Sequence, residues 1–287
     1  MLAARRELSA RPGGSDTADM NAATVSHQQV RSRPLRSRSI MSTVVAVVGQ
    51  HAAAIAADSS NYTIEATPHG PQVARGVMFA AHPKLVTANG RAAGVAGVSH
   101  YNGVSFVDIV RQALDVAPTL EDVAGEVLAL AGSTLNAAYA QWRALARHSS
   151  GPDQRPVNSF MEIFVIGRDT RGTPTLLSIW ADTPAATLTL IYDPYVAQDG
   201  RARVELAGTG TDLVRARTEQ HRRTNPFVRG PDYLPWIAAP DPGDAPSCAA
   251  VARSMVDAVV AADPRPDEPW WPPNLPAVCG PVTTATT

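Results

Sequence analysis

The chain has 287 residues, of which 45% are hydrophobic and 18% are charged, a composition typical of a globular protein with a large core. Its formal net charge of −1 gives no bulk electrostatic reason to bind nucleic acid or an anionic membrane surface. Two cysteines and seven histidines without ligand spacing predict no disulfide framework, no metal site and no cofactor. No apolar run approaches the roughly 20 residues that span a bilayer, so we expect a cytoplasmic protein without a membrane partner.

Residues 1–41 form an Arg-rich leader that we expect to be disordered. The first 40 residues hold seven arginines, few acidic residues and no sustained apolar period. Three explanations fit this composition: a propeptide, a targeting arm, or a gene start placed upstream of a true initiator at Met41. We favour the start at Met41, because removal of that methionine would expose Ser42 at once. The predicted folded domain then covers 42–287.

Four short strands are predicted in the first part of this domain. Mostly β-branched residues fill 43–48, and a second apolar run covers 52–58 after a short glycine-containing turn. Neither run alternates with polar residues, which indicates that both faces of their sheet are covered. Two more strands, 84–88 and 91–97, flank Asn89-Gly90, a dipeptide that strongly favours a hairpin turn.

Two helices follow, and strands then return. The first helix is predicted over 104–114 with Ser99 or Asn102 as its cap, and the second runs from 119 to about 148. The later predicted elements are strands at 160–167, 175–180, 187–192 and 203–207, a helix over 248–262 capped by Ser247, and a final strand within 278–286. Runs of strands and runs of helices together predict an α+β domain in which helices pack on sheets.

Lys84 is the only lysine, since the other basic residues among the 25 Lys and Arg are all arginine. A coding bias toward arginine explains the general excess, but it does not explain why one lysine is kept at this position. An ammonium that must lie close to a charged partner cannot be replaced by a guanidinium without moving the chemistry. Lys84 is therefore a candidate site residue.

The first hairpin carries a specific resemblance. Ser42-Thr43-Val44-Val45-Ala46, followed by Ala-Ala-Asp-Ser at 56–59, resembles the start of proteasome β-type subunits and their bacterial HslV-type relatives, in which a nucleophile begins the first strand. Asp58 follows Ser42 by 16 positions, as in that family. A shift to Thr43 breaks the spacing by one and turns the side chain to the other face of the strand. The resemblance covers 42 to about 285. It implies an N-terminal-nucleophile (Ntn) hydrolase with a four-layer αββα sandwich, in which helices flank two antiparallel sheets.

The resemblance also implies how the nucleophile works. Ser42, once it is the first residue, would attack with its hydroxyl and use its own α-amine as the base, since an α-amine titrates near about 7.7–8.0. Lys84 matches the family's buried lysine, which disfavours protonation of the amine and eases loss of the hydroxyl proton. Asp58 would pair with Lys84 and orient it.

Three further positions match the family's pattern. The amide of Gly97 is the candidate oxyanion donor, and Thr209 and Asp263 would form hydrogen bonds near the amine. The implied activity is amide-bond hydrolysis by a proteasome-like peptidase. Its substrate would be a peptide or a small amide, and the family implies a ring-like homo-oligomer. The near-neutral net charge predicts no nucleic-acid partner.

The chain departs from the family at four points. Serine replaces the usual threonine, and Met41 stands where family members that cleave a propeptide carry glycine. The segment from Asp58 to Lys84 is longer, and a segment rich in Pro and Trp at 264–276 replaces a Ser-Gly-Gly stretch. The changed 264–276 segment favours an alternative, a catalytically inactive proteasome-like protein kept for assembly or binding. The retained Lys84 opposes that alternative.

Overall fold

A computed structural model describes most of the predicted domain. The described residues are 42–67, 70–75, 83–149, 160–182, 189–197, 201–208, 210, 213–214, 242–263, 274, 276 and 278–287, together with two short leader strands at 7–8 and 24–27. Met41, Thr209 and nearly all of the 264–276 segment lie outside them, so the proposals for these positions stay predictions. The same holds for the rest of the leader.

Fifteen strands and three helices lie within the described residues. The strands are β1 Glu7–Leu8, β2 Thr24–His27, β3 Thr43–Val48, β4 Ala53–Ala57, β5 Thr63–Thr67, β6 Gly70–Arg75, β7 Leu85–Ala88, β8 Arg91–Gly97, β9 His100–Tyr101, β10 Val104–Ser105, β11 Met161–Arg168, β12 Pro174–Asp182, β13 Thr189–Tyr195, β14 Arg203–Gly208 and β15 Thr283–Thr286. The helices are α1 Phe106–Val116, α2 Val123–Ser149 and α3 Ala245–Ala262. The hairpin β5–β6 falls in a mixed, polar stretch for which no strand was predicted.

Two sheets organise the molecule. The large sheet has seven strands in the order β1-β2-β13-β12-β11-β8-β7, and the small sheet has four in the order β14-β3-β4-β15. Neighbouring strands pair antiparallel except β13 and β2, which are parallel. The predicted α+β class with antiparallel sheets is therefore confirmed.

Strands β3 and β4 are apolar on both faces because both faces are covered. Val45 and Val47 pack with side chains of α3, whereas Val44 and Ala46 pack with the large sheet. A third apolar cluster joins the large sheet to α1 and α2. The alternation of side chains along a strand thus sends successive residues of β3 into two different cores.

Helix α3 is the one described segment that is long and apolar enough to cross a membrane by length and composition alone. Its buried residues, among them Val251 and Met255, pack onto the small sheet. Its exposed side carries an ion pair with 3.5 Å between Arg253 Nε and Asp257 Oδ2. Core packing therefore accounts for the apolar composition of α3.

The turn between β7 and β8 has the predicted geometry. Asn89 and Gly90 adopt φ values of 49° and 68°, the two consecutive left-handed residues of the hairpin turn that this dipeptide favours. Ala88 then pairs with Arg91, and Leu85 pairs with Gly94. The hairpin places Lys84, immediately before β7, next to the middle of β8.

The N-caps of two helices differ from the prediction. Ser105 caps α1, with its side chain accepting a hydrogen bond from the Asp108 amide at 3.2 Å, so the predicted caps Ser99 and Asn102 were wrong. The two-stranded β9–β10 hairpin places Asn102 in its turn, with φ 48°. Asp244 caps α3 in place of Ser247, whose amide donates to Asp244 Oδ1 at 2.9 Å. Each of these segments offers several residues able to cap, and the turn before the helix decides which one does.

Replacing Ser105 with alanine should lower the free energy of unfolding by about 1 kcal/mol, because the Asp108 amide loses its capping acceptor. Ser99→Ala is the control, since it keeps the backbone carbonyl that accepts from the Phe106 amide at 2.8 Å and loses the hydroxyl contact with His100 Nδ1 at 3.0 Å, outside the cap. Urea denaturation measures both changes. A larger loss in Ser99→Ala than in Ser105→Ala would contradict the assignment of the cap.

Candidate active site

A buried ion pair links the two sheets. Lys84 Nζ donates to Asp58 Oδ1 at 2.7 Å, and the two side chains are 1% and 0% exposed. Asp58 immediately follows β4 of the small sheet, and Lys84 lies just before β7 at the edge of the large sheet. The only lysine of the chain is therefore the partner of the carboxylate that ends the first hairpin.

The Asp58 carboxylate receives hydrogen bonds on both oxygens. Oδ1 also accepts from the Thr43 amide at 2.7 Å. Oδ2 accepts from the Ser60 amide at 3.0 Å and from the Ser60 hydroxyl. An ionised carboxylate can only accept hydrogen bonds, and donors on both oxygens offset part of the cost of burying its charge. These bonds fix the carboxylate relative to the start of β3.

Burial lowers the pKa of Lys84 from its usual value, because the ammonium is removed from water. The charge of Asp58 and the hydrogen bond to its carboxylate oppose this shift, and the nearby Cys279 opposes it further. Lys84 is thus an ammonium whose proton is held less tightly than that of a lysine in solvent.

Ser42 is linked to this pair through the amide of the next residue. It is 4% exposed and precedes Thr43, whose amide nitrogen contacts the same Asp58 oxygen as Lys84 Nζ does, each at 2.7 Å. The peptide unit that joins Ser42 to Thr43 is therefore separated from the ammonium by a single carboxylate oxygen.

The backbone at Gly208 packs closely against the backbone at Ser42. It ends β14 opposite Thr43 and has φ 100°, and a Cβ atom there would come within 1.7 Å of the Ser42 carbonyl oxygen. Only a glycine allows the two backbones to approach this closely. Thr209, the next residue, lies outside the described part of the chain.

Gly97 and Asp263 occupy the ends of two elements near the pair. Gly97 ends β8 two residues after Val95, whose amide donates to the Lys84 carbonyl at 3.0 Å. Asp263 caps the C-terminus of α3 with φ 45°. Its charge, like that of Asp58, acts on Tyr62 and Cys279, so these groups share one neighbourhood.

Three contributors to this neighbourhood were not predicted: Ser60, Tyr62 and Cys279. The Tyr62 hydroxyl donates to the Pro276 carbonyl and lies 3.7 Å from Cys279 Sγ. Burial raises the pKa of Tyr62 and that of Cys279, although the hydrogen bond with Tyr62 opposes the shift of the thiol. The Asp-x-Ser spacing of 58–60 could have indicated Ser60, because an Asp side chain often binds the amide two residues on.

The segment before β15 holds the loop that follows Asp58. The Ser59 amide donates to the Cys279 carbonyl at 3.3 Å, and the Ser59 hydroxyl donates to the Pro281 carbonyl. These partners lie more than 200 positions apart in the sequence, so no local pattern could have shown them. The C-terminal segment thus forms one side of the candidate site.

Comparison with protein-family models finds no family that matches the chain, and comparison with curated proteins finds no match. Within the described ranges, no group of three or more His, Cys, Asp or Glu side chains is arranged to hold a metal ion. The arrangement that remains is a serine beside a buried, hydrogen-bonded Asp–Lys pair.

Proposed function

We propose that this chain is an amide-bond hydrolase of the N-terminal-nucleophile type, a proteasome-like peptidase with Ser42 as its nucleophile. The observation that carries the proposal is the buried Asp58–Lys84 pair, whose carboxylate also binds the amide that follows Ser42. A buried ion pair is a weak source of stability, because the cost of removing both charges from water offsets their attraction. Its position one peptide unit from a serine therefore favours a catalytic role.

In the proposed reaction the Ser42 hydroxyl attacks the carbonyl carbon of the amide, and its proton passes to the α-amine of the same residue. The C–N bond of the amide then breaks, the leaving amine takes that proton, and water hydrolyses the ester left on Ser42 to release the acid. The Lys84 ammonium would stabilise the negative charge that develops on the attacking oxygen, and it would also disfavour protonation of the amine. Asp58 positions the ammonium. The Gly97 amide would stabilise the oxyanion, and Thr209 and Asp263 would orient the amine.

The packing supports the fold that this class uses. Separate apolar clusters lie between α3 and the small sheet, between the two sheets, and between the large sheet and the helix pair α1–α2. We propose that these layers form the αββα sandwich of the Ntn hydrolases, in a ring-like homo-oligomer that acts on peptides or small amides.

The test is covalent labelling with a peptide electrophile that forms a ring with a hydroxyl and an adjacent free amine. The form that starts at Met41, once purified, should begin at Ser42 by intact mass and gain one adduct. Ser42→Ala should lose this labelling. Ser59→Ala is the matched control, because its hydroxyl contacts the Pro281 carbonyl and should leave labelling unchanged.

Two outcomes would end the proposal. If Ser42 still carries a preceding residue in the purified protein, its amine is blocked and the assembly or binding alternative is favoured. If wild type and Ser42→Ala are labelled equally, Ser42 is not the nucleophile.

A further inference from the structure

We propose that Ser60 is a positioning residue, whose hydroxyl bridges Asp58 and Lys84 and sets the direction in which the ammonium points. Ser60 is fully buried, its hydroxyl donates to Asp58 Oδ2, and Lys84 Nζ donates to the Ser60 Oγ at 3.4 Å. One hydroxyl thus contacts both members of the pair. The catalytic use of the oriented ammonium rests on the proposed function, whereas the bridge itself does not.

The hydrogen-bonding roles in this bridge are fixed by chemistry. An ammonium can only donate and a carboxylate can only accept, so the Ser60 proton lies on the Asp58 side and an oxygen lone pair faces Lys84. Lys84 has three N–H groups, and Asp58 and Ser60 accept two of them. Because the ammonium is tetrahedral, fixing two of these bonds fixes the direction of the third.

The same hydroxyl acts on the protonation of Lys84. The hydroxyl proton points toward Asp58, so the oxygen, the negative end of the hydroxyl dipole, faces Lys84 Nζ. This dipole favours the charged form of Lys84. Two other groups act on the pKa of Lys84: Asp58, just after β4, and Cys279 in the C-terminal segment. The pKa of Cys279 is in turn shifted by Tyr62 and Asp263. Ser60 therefore works with Asp58 to keep Lys84 protonated against the effect of burial.

Alanine at this position would remove little besides the hydroxyl. The Ser60 amide donates to Asp58 Oδ2 at 3.0 Å, and an alanine keeps that amide. Asp58 would also keep its bonds from Thr43 and Lys84. The variant Ser60→Ala thus removes the hydroxyl of the bridge and keeps the amide contact to Asp58.

The chain offers a direct measurement, because its single lysine gives a single side-chain signal. The full chain, produced with ¹³C-labelled lysine, should show one Cε resonance whose titration with pH reports Lys84 without any assignment. We expect the Lys84 midpoint to fall by roughly half to one pH unit in Ser60→Ala. Ser60→Thr, which restores the hydroxyl, should return it toward the wild-type value.

Ser59→Ala is the matched control, since the Ser59 hydroxyl contacts the Pro281 carbonyl, outside the pair. Should Ser60→Ala fail to fold, Ser60→Val has the shape of Ser60→Thr without the hydroxyl and should lower the midpoint in the same direction. An unchanged midpoint in the Ser60 variants, or an equal fall in Ser59→Ala, overturns the inference.

Labelling of Ser42 separates this inference from the proposed function. A fall in the Lys84 midpoint with no labelling of wild type supports the bridge and rejects the hydrolase. Where wild type is labelled, Ser60→Ala should slow labelling several-fold and shift its pH profile in the same direction as the Lys84 midpoint. Labelling of wild type with an unchanged midpoint in Ser60→Ala keeps the hydrolase and rejects the bridge.

Discussion

Replacing Asp58 with alanine should lower the free energy of unfolding by about 3–5 kcal/mol, because it leaves the Lys84 ammonium buried without its counter-ion. The substitution also removes the acceptor of the Thr43 and Ser60 amides. Urea denaturation followed by circular dichroism measures the loss. A loss below about 1 kcal/mol, the size of an exposed ion pair, would contradict the burial of the pair.

Lys84→Met should cost less than Asp58→Ala, because Asp58 keeps three hydrogen-bond donors from Thr43 and Ser60. The double variant should be no less stable than Asp58→Ala alone, since it no longer contains the unpaired Lys84 ammonium that Asp58→Ala leaves buried. Losses that simply add in the double variant would show that the two charges do not interact.

The pH dependence of stability follows from the lowered pKa of Lys84. Between that pKa and the value of about 10.4 in the unfolded chain, the unfolded state binds the proton that the folded state has lost, so the free energy of unfolding rises with pH. Lys84→Met should lack this rise. Tyr62 and Cys279, whose pKa values burial raises, act in the opposite sense above about pH 10 and about pH 8.5, and both are present in the two proteins. An equal rise in wild type and Lys84→Met would contradict the burial of Lys84.

Gly208→Ala should lower the free energy of unfolding by about 2–6 kcal/mol, from backbone strain and overpacking together. The added Cβ would lie 1.7 Å from the Ser42 carbonyl oxygen and 2.6 Å from its carbon, at a residue with φ 100°. Backbone atoms cannot rotate away as a side chain can. Since the displaced atoms belong to Ser42, labelling of the folded variant should also fall well below wild type.

The variant Gly172→Ala measures the cost of backbone strain at positive φ without a steric clash. Gly172 has φ 77°, and a methyl group added there would meet no atom within 4 Å beyond its chain neighbours, so the variant should cost only the left-handed strain of about 1–2 kcal/mol. Thermal or urea unfolding of the two variants side by side checks the difference. Equal losses would mean that β14 can move away from Ser42 at little cost.

Local patterns predicted much of the framework. The β-branched run of β3 and the apolar run of β4 form strands by their own composition, and Asn89-Gly90 forms its turn because both residues tolerate positive φ. The absence of polar alternation in β3 and β4 indicated burial on both faces, which the packing confirms. Such signals are carried by a few adjacent residues.

Helix starts and the β5–β6 hairpin were predicted less well. Ser99, Asn102 and Ser105 are all able to cap, and the β9–β10 hairpin, a feature of several residues, selects the last of them. The strands β5 and β6 lie in a polar stretch without a clear period, and their pairing includes a register shift. In both cases the structure that forms depends on contacts with residues outside the segment itself.

The candidate site residues are visible in the sequence: a serine that begins a strand, an aspartate 16 positions later, and the only lysine of the chain. Their contacts depend on the packing, which brings Asp58 and Lys84 together, joins both to Ser60 and places Cys279 nearby. Charge pairing and desolvation depend on distances between elements. Those distances are set when the two sheets and the C-terminal segment pack together, and no local pattern encodes them.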